Sequence, residues 1–142
     1  MKTAVGYLSS RRFYDERVPQ HIQGSILRSF CNANNLKYSF GVVEYSFDNC
    51  FLMLEDLVNT TFRSSIVVYS VWQFPREYQL RSVVCEKIAE KQIDLFFAVE
   101  NISNNNLSAK DFQNKLDLLF DLKSLNNVAD YREQLNWVRD SI

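Results

Sequence analysis

The sequence predicts an α/β fold: a four-stranded, mostly parallel sheet in the order 2-1-3-4, helices on both faces, and C-terminal helices after it. Three observations predict it. Short apolar runs alternate with longer stretches whose apolar residues recur at helical spacing, the pattern of parallel strands joined by right-handed crossovers. The run Ile66-Val67-Val68-Tyr69 has no polar alternation, which suits a strand covered on both faces. Eleven Phe, seven Tyr and two Trp against only three Gly and two Pro favour a packed core over a loop-rich or fibrous chain.

The elements follow in order. Residues 3–9 form the first strand, in which Val5, Tyr7 and Leu8 suit a buried sheet and Gly6 permits close backbone approach. A polar loop over 10–18 leads to Pro19, placed as the first residue of a helix, where its missing N–H costs nothing. Ile22, Ile26, Leu27 and Phe30 carry that helix to about 33. Residues 38–45 form the second strand. Asp48 or Asn49 then caps a helix marked by Phe51, Leu54, Leu57 and Val58. The third strand is expected over 65–71, with a helix opening at Pro75, and the fourth strand over 93–99. Ser108 and Asp111 resemble a capping box ahead of a helix bearing Phe112, Leu116, Leu119 and Phe120. A separate last helix, about 127–140, carries Val128, Tyr131, Leu135 and Val138.

The 142 residues fit one α/β domain, with 1–102 as sheet core and 103–142 as a C-terminal helical segment that covers the sheet or forms a homodimer contact. The net charge of −1 lacks the basic excess with which duplex-binding domains neutralise phosphates, which disfavours nucleic acid as a partner. The first 28 residues nevertheless hold five basic and two acidic side chains, a local bias that suits one small anionic ligand. Cys31, Cys50 and Cys85 form neither a disulfide framework nor a zinc signature, and no metal or cofactor is expected. No apolar run approaches the roughly 20 residues of a membrane span, so the expected location is cytoplasmic.

In such a sheet the C-terminal strand ends share one edge, and ligands bind in the crevice where strand order reverses, here between the first and third strands. That edge collects Ser9, Ser10, Arg11 and Arg12, then Glu44 and Tyr45, then Tyr69, Ser70 and Gln73, and finally Glu100. Arg11 and Arg17 are the expected anion holders, because guanidinium forks grip phosphate or carboxylate bidentately. Ser9, Ser10, Tyr45, Ser70 and Gln73 are the expected readers of ligand hydroxyls. His21, the one histidine, and Glu44 are the acid–base candidates if the site is catalytic. No G-x-G-x-x-G, Walker loop or G-x-S-x-G elbow is present.

Two family resemblances add to this reading. Residues up to about 100 resemble the catalytic domain of the serine recombinases, the resolvases and invertases, which implies a resolvase-like, flavodoxin-like sheet. That family opens with Y-x-R-x-S and follows its third strand with an L-D-R-L-x-R-like motif. Here Tyr7 matches, Ser9 stands where the arginine belongs and Arg11 where the nucleophilic serine belongs. Val71-Trp72-Gln73-Phe74-Pro75-Arg76 resembles the second motif, with Gln73 in place of its first arginine. Strand transfer needs a serine among guanidiniums that stabilise developing charge, so this resemblance implies the fold without the activity.

Gly6–Arg11, Arg17–Gln23, Glu44-Tyr45, Cys50 with Met53-Leu54-Glu55, and Tyr69-Ser70 with Gln73-Phe74-Pro75 resemble the small bacterial family called "sporadic carbohydrate cluster protein". That resemblance implies a place in surface-polysaccharide, lipopolysaccharide and O-antigen biosynthesis. The expected function is binding of an anionic sugar or nucleotide-sugar, either to modify it or to present it to a partner enzyme. The alternative is a catalytically inactive recombinase-like domain acting as a nucleic-acid-binding or protein-interaction module.

Overall fold

The computed structural model describes residues 2–13 and 17–140, with side chains through 125. Part of the 10–18 loop and the apolar positions Val128, Tyr131, Leu135 and Val138 therefore lie outside the described residues or side chains. The chain divides into two compact units, Met1–Ala109 and Lys110–Ile142.

The first unit is built on a sheet of five strands: β1 (Lys2–Ser9), β2 (Leu36–Glu44), β3 (Ser65–Val68), β4 (Asp94–Phe97) and β5 (Ile102–Ser103). Their order is 2-1-3-4-5, and every pair is parallel except β4 with β5. The expected 2-1-3-4 core is thus present, with a two-residue antiparallel edge that the Asn-rich loop had concealed. β1 is an interior strand, paired with β2 along its whole length and with β3 from Ala4 to Tyr7, and Ala4, Tyr7, Leu8 and Ser9 are buried.

Helix α1 (Gln20–Ala33) covers one face, where Ala4, Leu8, Leu27, Cys31 and Val67 form a core cluster and the Phe30 and Phe96 rings meet edge to face at 5.7 Å. On the other face Tyr7 bonds Glu44 beneath α2 (Leu52–Thr60), and α3 (Tyr78–Glu90) packs beside α2. The buried stripe of α1 is Gln23, Leu27 and Cys31, rotated from the expected one, and Ile22 is exposed. Gly6 sets the spacing between α1 and the sheet. A Cβ there would lie 2.8 Å from both Leu27 Cδ1 and Tyr38 Oη, closer than such atoms pack. β1 and β2 lose register between Ala4 and Val5, where Ser39 is the extra residue of a bulge and donates from Oγ to the Ala4 carbonyl at 2.9 Å.

Several boundaries differ from expectation for local reasons. Pro19 is the residue before α1 rather than its first, with an extended ψ of 144°. Asn49 takes a left-handed φ of 58° in a turn that delays α2 to Leu52, so neither Asp48 nor Asn49 caps it. β3 stops at Val68 because Ser70 caps a 3-10 turn at Val71–Gln73. β4 stops at Phe97 as the chain turns through 98–101. The helix expected at Pro75 begins at Tyr78. The two expected C-terminal helices are one, α4 (Ala109–Asp140), since its 32 residues contain no Gly or Pro to break it.

Gly6→Ala is expected to lower stability by about 1–3 kcal/mol through forced displacement of Leu27 and Tyr38. A urea melt showing an unchanged midpoint would refute that account of the α1–sheet contact.

Candidate functional site

The strand-end edge is organised by Gln23, a fully buried amide on α1. Its Nε2 donates to the Ser9 and Val18 carbonyls, both at 2.7 Å, and its Oε1 accepts from the Ser9 N–H at 3.2 Å and from Gln73 Nε2 at 2.9 Å. Both donors and both acceptor positions of the amide are used. β3 has ended at Val68, so Gln23 supplies Ser9 with the backbone partners that a longer β3 would give. The Ser9 hydroxyl accepts from the Arg11 N–H at 3.3 Å, which turns the chain after the strand.

Gln73 and Ser70 are likewise engaged. Ser70 Oγ accepts from Trp72 N and donates to Glu100 Oε2 at 2.8 Å, while Gln73 Oε1 accepts from Ser70 N. Glu100 Oε1 also accepts from Val71 N at 2.8 Å. Ser70 and Gln73 form a capping box, and Glu100 ties this 3-10 turn to the turn that follows β4.

Glu44, anticipated as an acid–base group, is buried at the end of β2. Its carboxylate accepts from Tyr7 Oη at 2.8 Å, Tyr45 N at 3.1 Å, Met53 N at 3.0 Å and Leu54 N at 3.1 Å, with Cys50 Sγ at 3.9 Å. Met53 and Leu54 are the second and third residues of α2, whose own N-cap, Phe51, offers no side-chain bond. Glu44 therefore caps α2 from the neighbouring strand and sits at the positive end of its dipole. Burial, and then the Glu44 charge, push the Tyr7 phenol far above its usual range.

Arg11 turns toward the 47–51 loop. Its Nη1 donates to the carbonyls of Phe47, at 3.2 Å, and Cys50, and its guanidinium lies 4.4 Å from the Phe51 ring centroid. It lines a recess of about 250 Å³ with Ser9, Arg12, Trp72, Gln73 and Arg76. Tyr45 is exposed and stacks on Phe47 with centroids 6.2 Å apart.

Ser10, Arg17 and His21 face elsewhere. They line a larger cleft of about 960 Å³ beside α1, together with Arg28, Tyr38 and Gly41. The anticipated single crevice is thus two hollows, with Ser9 lining one and Ser10 the other. Among the described residues the cleft lining holds no carboxylate. The Arg28 guanidinium lies over the Tyr38 ring at 5.4 Å, and burial raises the Tyr38 phenol pKa while Arg28 partly offsets the rise. Arg28 and Tyr38 carry no signal in the sequence that marks them, and Gln23 falls within the Arg17–Gln23 segment without a role of its own. Gln23 is legible afterwards as the amide four residues before Leu27 and eight before Cys31, a polar side chain on the inward stripe.

The fold has known counterparts. The chain is similar to the N-terminal catalytic domain of TP901-1 integrase, with a TM-score of 0.60 and 15% identity over 84% of this chain and 96% of that one. It is similar also to a resolvase family site-specific recombinase from Streptococcus pneumoniae, with a TM-score of 0.59 and 11% identity over 94% of this chain and 96% of that one. The α/β fold is that of resolvase catalytic domains. No protein-family model matches the chain, and no curated protein matches it. The carbohydrate-cluster resemblance has no counterpart among these matches.

Glu44→Gln would turn an NH₂ toward backbone donors. It is expected to cost roughly 1.5–3 kcal/mol, read as a fall in the denaturation midpoint; an unchanged midpoint would show that α2 does not need this cap. Tyr7 has a raised folded-state pKa, so its stabilising contribution is complete below the unfolded value of about 10 and is lost as pH rises above it. Melting temperature is therefore expected to fall with alkalinity above about pH 10, less steeply in Tyr7→Phe. Parallel curves for the two proteins would refute this.

Proposed function

We propose that this chain is a binding module on the recombinase fold that does not perform strand transfer, and that its ligand is an anionic sugar or nucleotide-sugar. The observation that carries the first part is Arg11. It stands where the family resemblance puts the nucleophilic serine, and its guanidinium is held by the Phe47 and Cys50 carbonyls and the Phe51 ring. Gln73, at an arginine position of the second motif, is buried in hydrogen bonds to Gln23 and Ser70. An uncharged amide there cannot supply the electrostatic stabilisation that phosphoryl transfer requires. The net charge of −1 argues against a duplex partner.

The second part is supported by the α1 cleft. Its volume of about 960 Å³ is pocket-sized, and it gathers Ser10, Arg17 and His21 without a carboxylate among the described residues. In this reading Arg17 holds the anion and Ser10 reads a hydroxyl. His21 is the acid–base group if a reaction takes place. The carbohydrate-cluster resemblance supports surface-polysaccharide and lipopolysaccharide biosynthesis as the setting, and free Cys31, Cys50 and Cys85 suit a cytoplasmic location. A protein-interaction role is a second reading, favoured by the exposed Leu118, Leu122 and Leu125 at i, i+4 and i+7 on α4.

Two measurements on the full chain test this. Selection from a random-sequence duplex library is expected to enrich no site and to trap no protein–DNA adduct that survives denaturation; an enriched site with such an adduct sinks the reading. Thermal-shift screening is expected to find stabilisation by nucleotide-sugars or acidic sugars. No shift with any of them, alongside a protein captured through α4, would favour the interaction module.

A further inference from the structure

The α1 cleft does not end at its own rim. A second hollow of about 550 Å³, which includes Asn32 and Ser39, shares Arg28, Tyr38 and Gly41 with it. The junction is open because of Gly41, where a Cβ would lie 2.7 Å from Tyr38 Oη and 3.4 Å from Leu8 Cδ1. At this junction stands a guanidinium that forms no ion pair or hydrogen bond with a described residue. It is steadied by the Tyr38 ring beneath it, and the Tyr38 hydroxyl likewise has no hydrogen-bond partner among the described residues. Arg17 and His21 line the larger hollow, and among the described residues neither hollow is lined by a carboxylate.

We propose that the two hollows form one bipartite site for a nucleoside diphosphate-sugar, with the diphosphate at the junction on Arg28 and the sugar and nucleoside on either side. The shape of the site selects this ligand class. A lone phosphate or an acidic monosaccharide would occupy only one hollow, since each hollow, at about 960 and about 550 Å³, by itself lies within the roughly 300–1,000 Å³ range of sites for drug-sized molecules. A molecule with its charge at the centre and neutral hydroxyl-rich groups at both ends matches a cationic junction flanked by polar hollows. Ser10 and Gln20 offer hydrogen bonds on one side, and Asn32 and Ser39 on the other. The guanidinium fork matches two phosphate oxygens at once, and its stacking on Tyr38 reduces the side-chain freedom lost on binding. Arg28 thereby joins Arg17, which lines the larger hollow, as a second holder of the anion. This proposal rests on the anionic-sugar reading and adds to it a place and a ligand geometry.

Calorimetric titration of the full chain with UDP-glucose, GDP-mannose and inorganic pyrophosphate tests it. At least one nucleotide-sugar is expected to bind more tightly than pyrophosphate. Arg28→Ala is expected to weaken both nucleotide-sugar and pyrophosphate by about tenfold or more. Asn32→Trp, which fills the smaller hollow from an exposed helix position, is expected to weaken the nucleotide-sugar and spare pyrophosphate. Thermal melts of both variants exclude unfolding as the cause. Pyrophosphate binding that survives Arg28→Ala but is lost in Arg12→Ala would move the anion to the Arg11 recess, overturning this proposal while leaving the anionic-sugar reading intact. Nucleotide-sugars no tighter than pyrophosphate would overturn the bipartite geometry. No binding of any of the three, with acidic sugars still stabilising the chain, would remove the diphosphate ligand alone. If acidic sugars also fail, both readings fall.

Discussion

The polar end of this sheet depends on one buried amide. A central parallel strand that outlasts its neighbour must find partners for its last N–H and C=O, or bear the cost of burying them unpaired. Gln23 answers that need for Ser9 with one donor and one acceptor, and spends the other two on Val18 and Gln73. A single side chain thus joins the end of β1, the approach to α1 and the 3-10 turn after β3. At the other end of the sheet Asn104 does similar work for β4, accepting from Leu95 N at 2.9 Å and donating to the Ile93 carbonyl at 3.0 Å. In both cases an amide stands in for missing strand.

This economy explains which polar residues remain available to a ligand. Ser9, Glu44, Ser70, Gln73 and Glu100 sit where ligand sites form in open α/β sheets, yet each is bound into the scaffold. Their hydrogen bonds cap α2, cap the 3-10 turn or terminate β1. Beside α1, Arg17, His21 and Arg28 line hollows free of carboxylates among the described residues. The architecture is resolvase-like, and its strand-end polar groups hold the sheet, the turn and the helix together.

Much of the fold was legible because it rests on periodicity. Four parallel strands and the helices between them could be read from apolar runs, and the strand order from the rule of right-handed crossovers. β5 escaped because two residues carry no period. The join of the two expected C-terminal helices escaped because Ser124, Asn126 and Asn127 resemble a linker, although nothing there prevents helix. The partners of each site residue were harder to see. Arg11 and Arg17 look alike in sequence, yet one turns to the 47–51 loop and the other to the α1 cleft. Glu44 reads as an available carboxylate until α2 is seen to lack a cap of its own. A hydrogen bond between residues far apart in the chain, such as Gln23 to Gln73, leaves no local trace.

The bulge at Ser39 has a consequence for how one strand can serve two purposes. Tyr38 and Glu44 are six residues apart, an even separation, and in a regular strand both would point to the same side of the sheet. The extra residue reverses the parity between them. Tyr38 therefore faces α1, beneath Arg28, while Glu44 faces Tyr7 and α2. A regular β2 would have to give up either the aromatic support of the junction or the cap of α2. One inserted residue, fastened by its own hydroxyl to Ala4, keeps both.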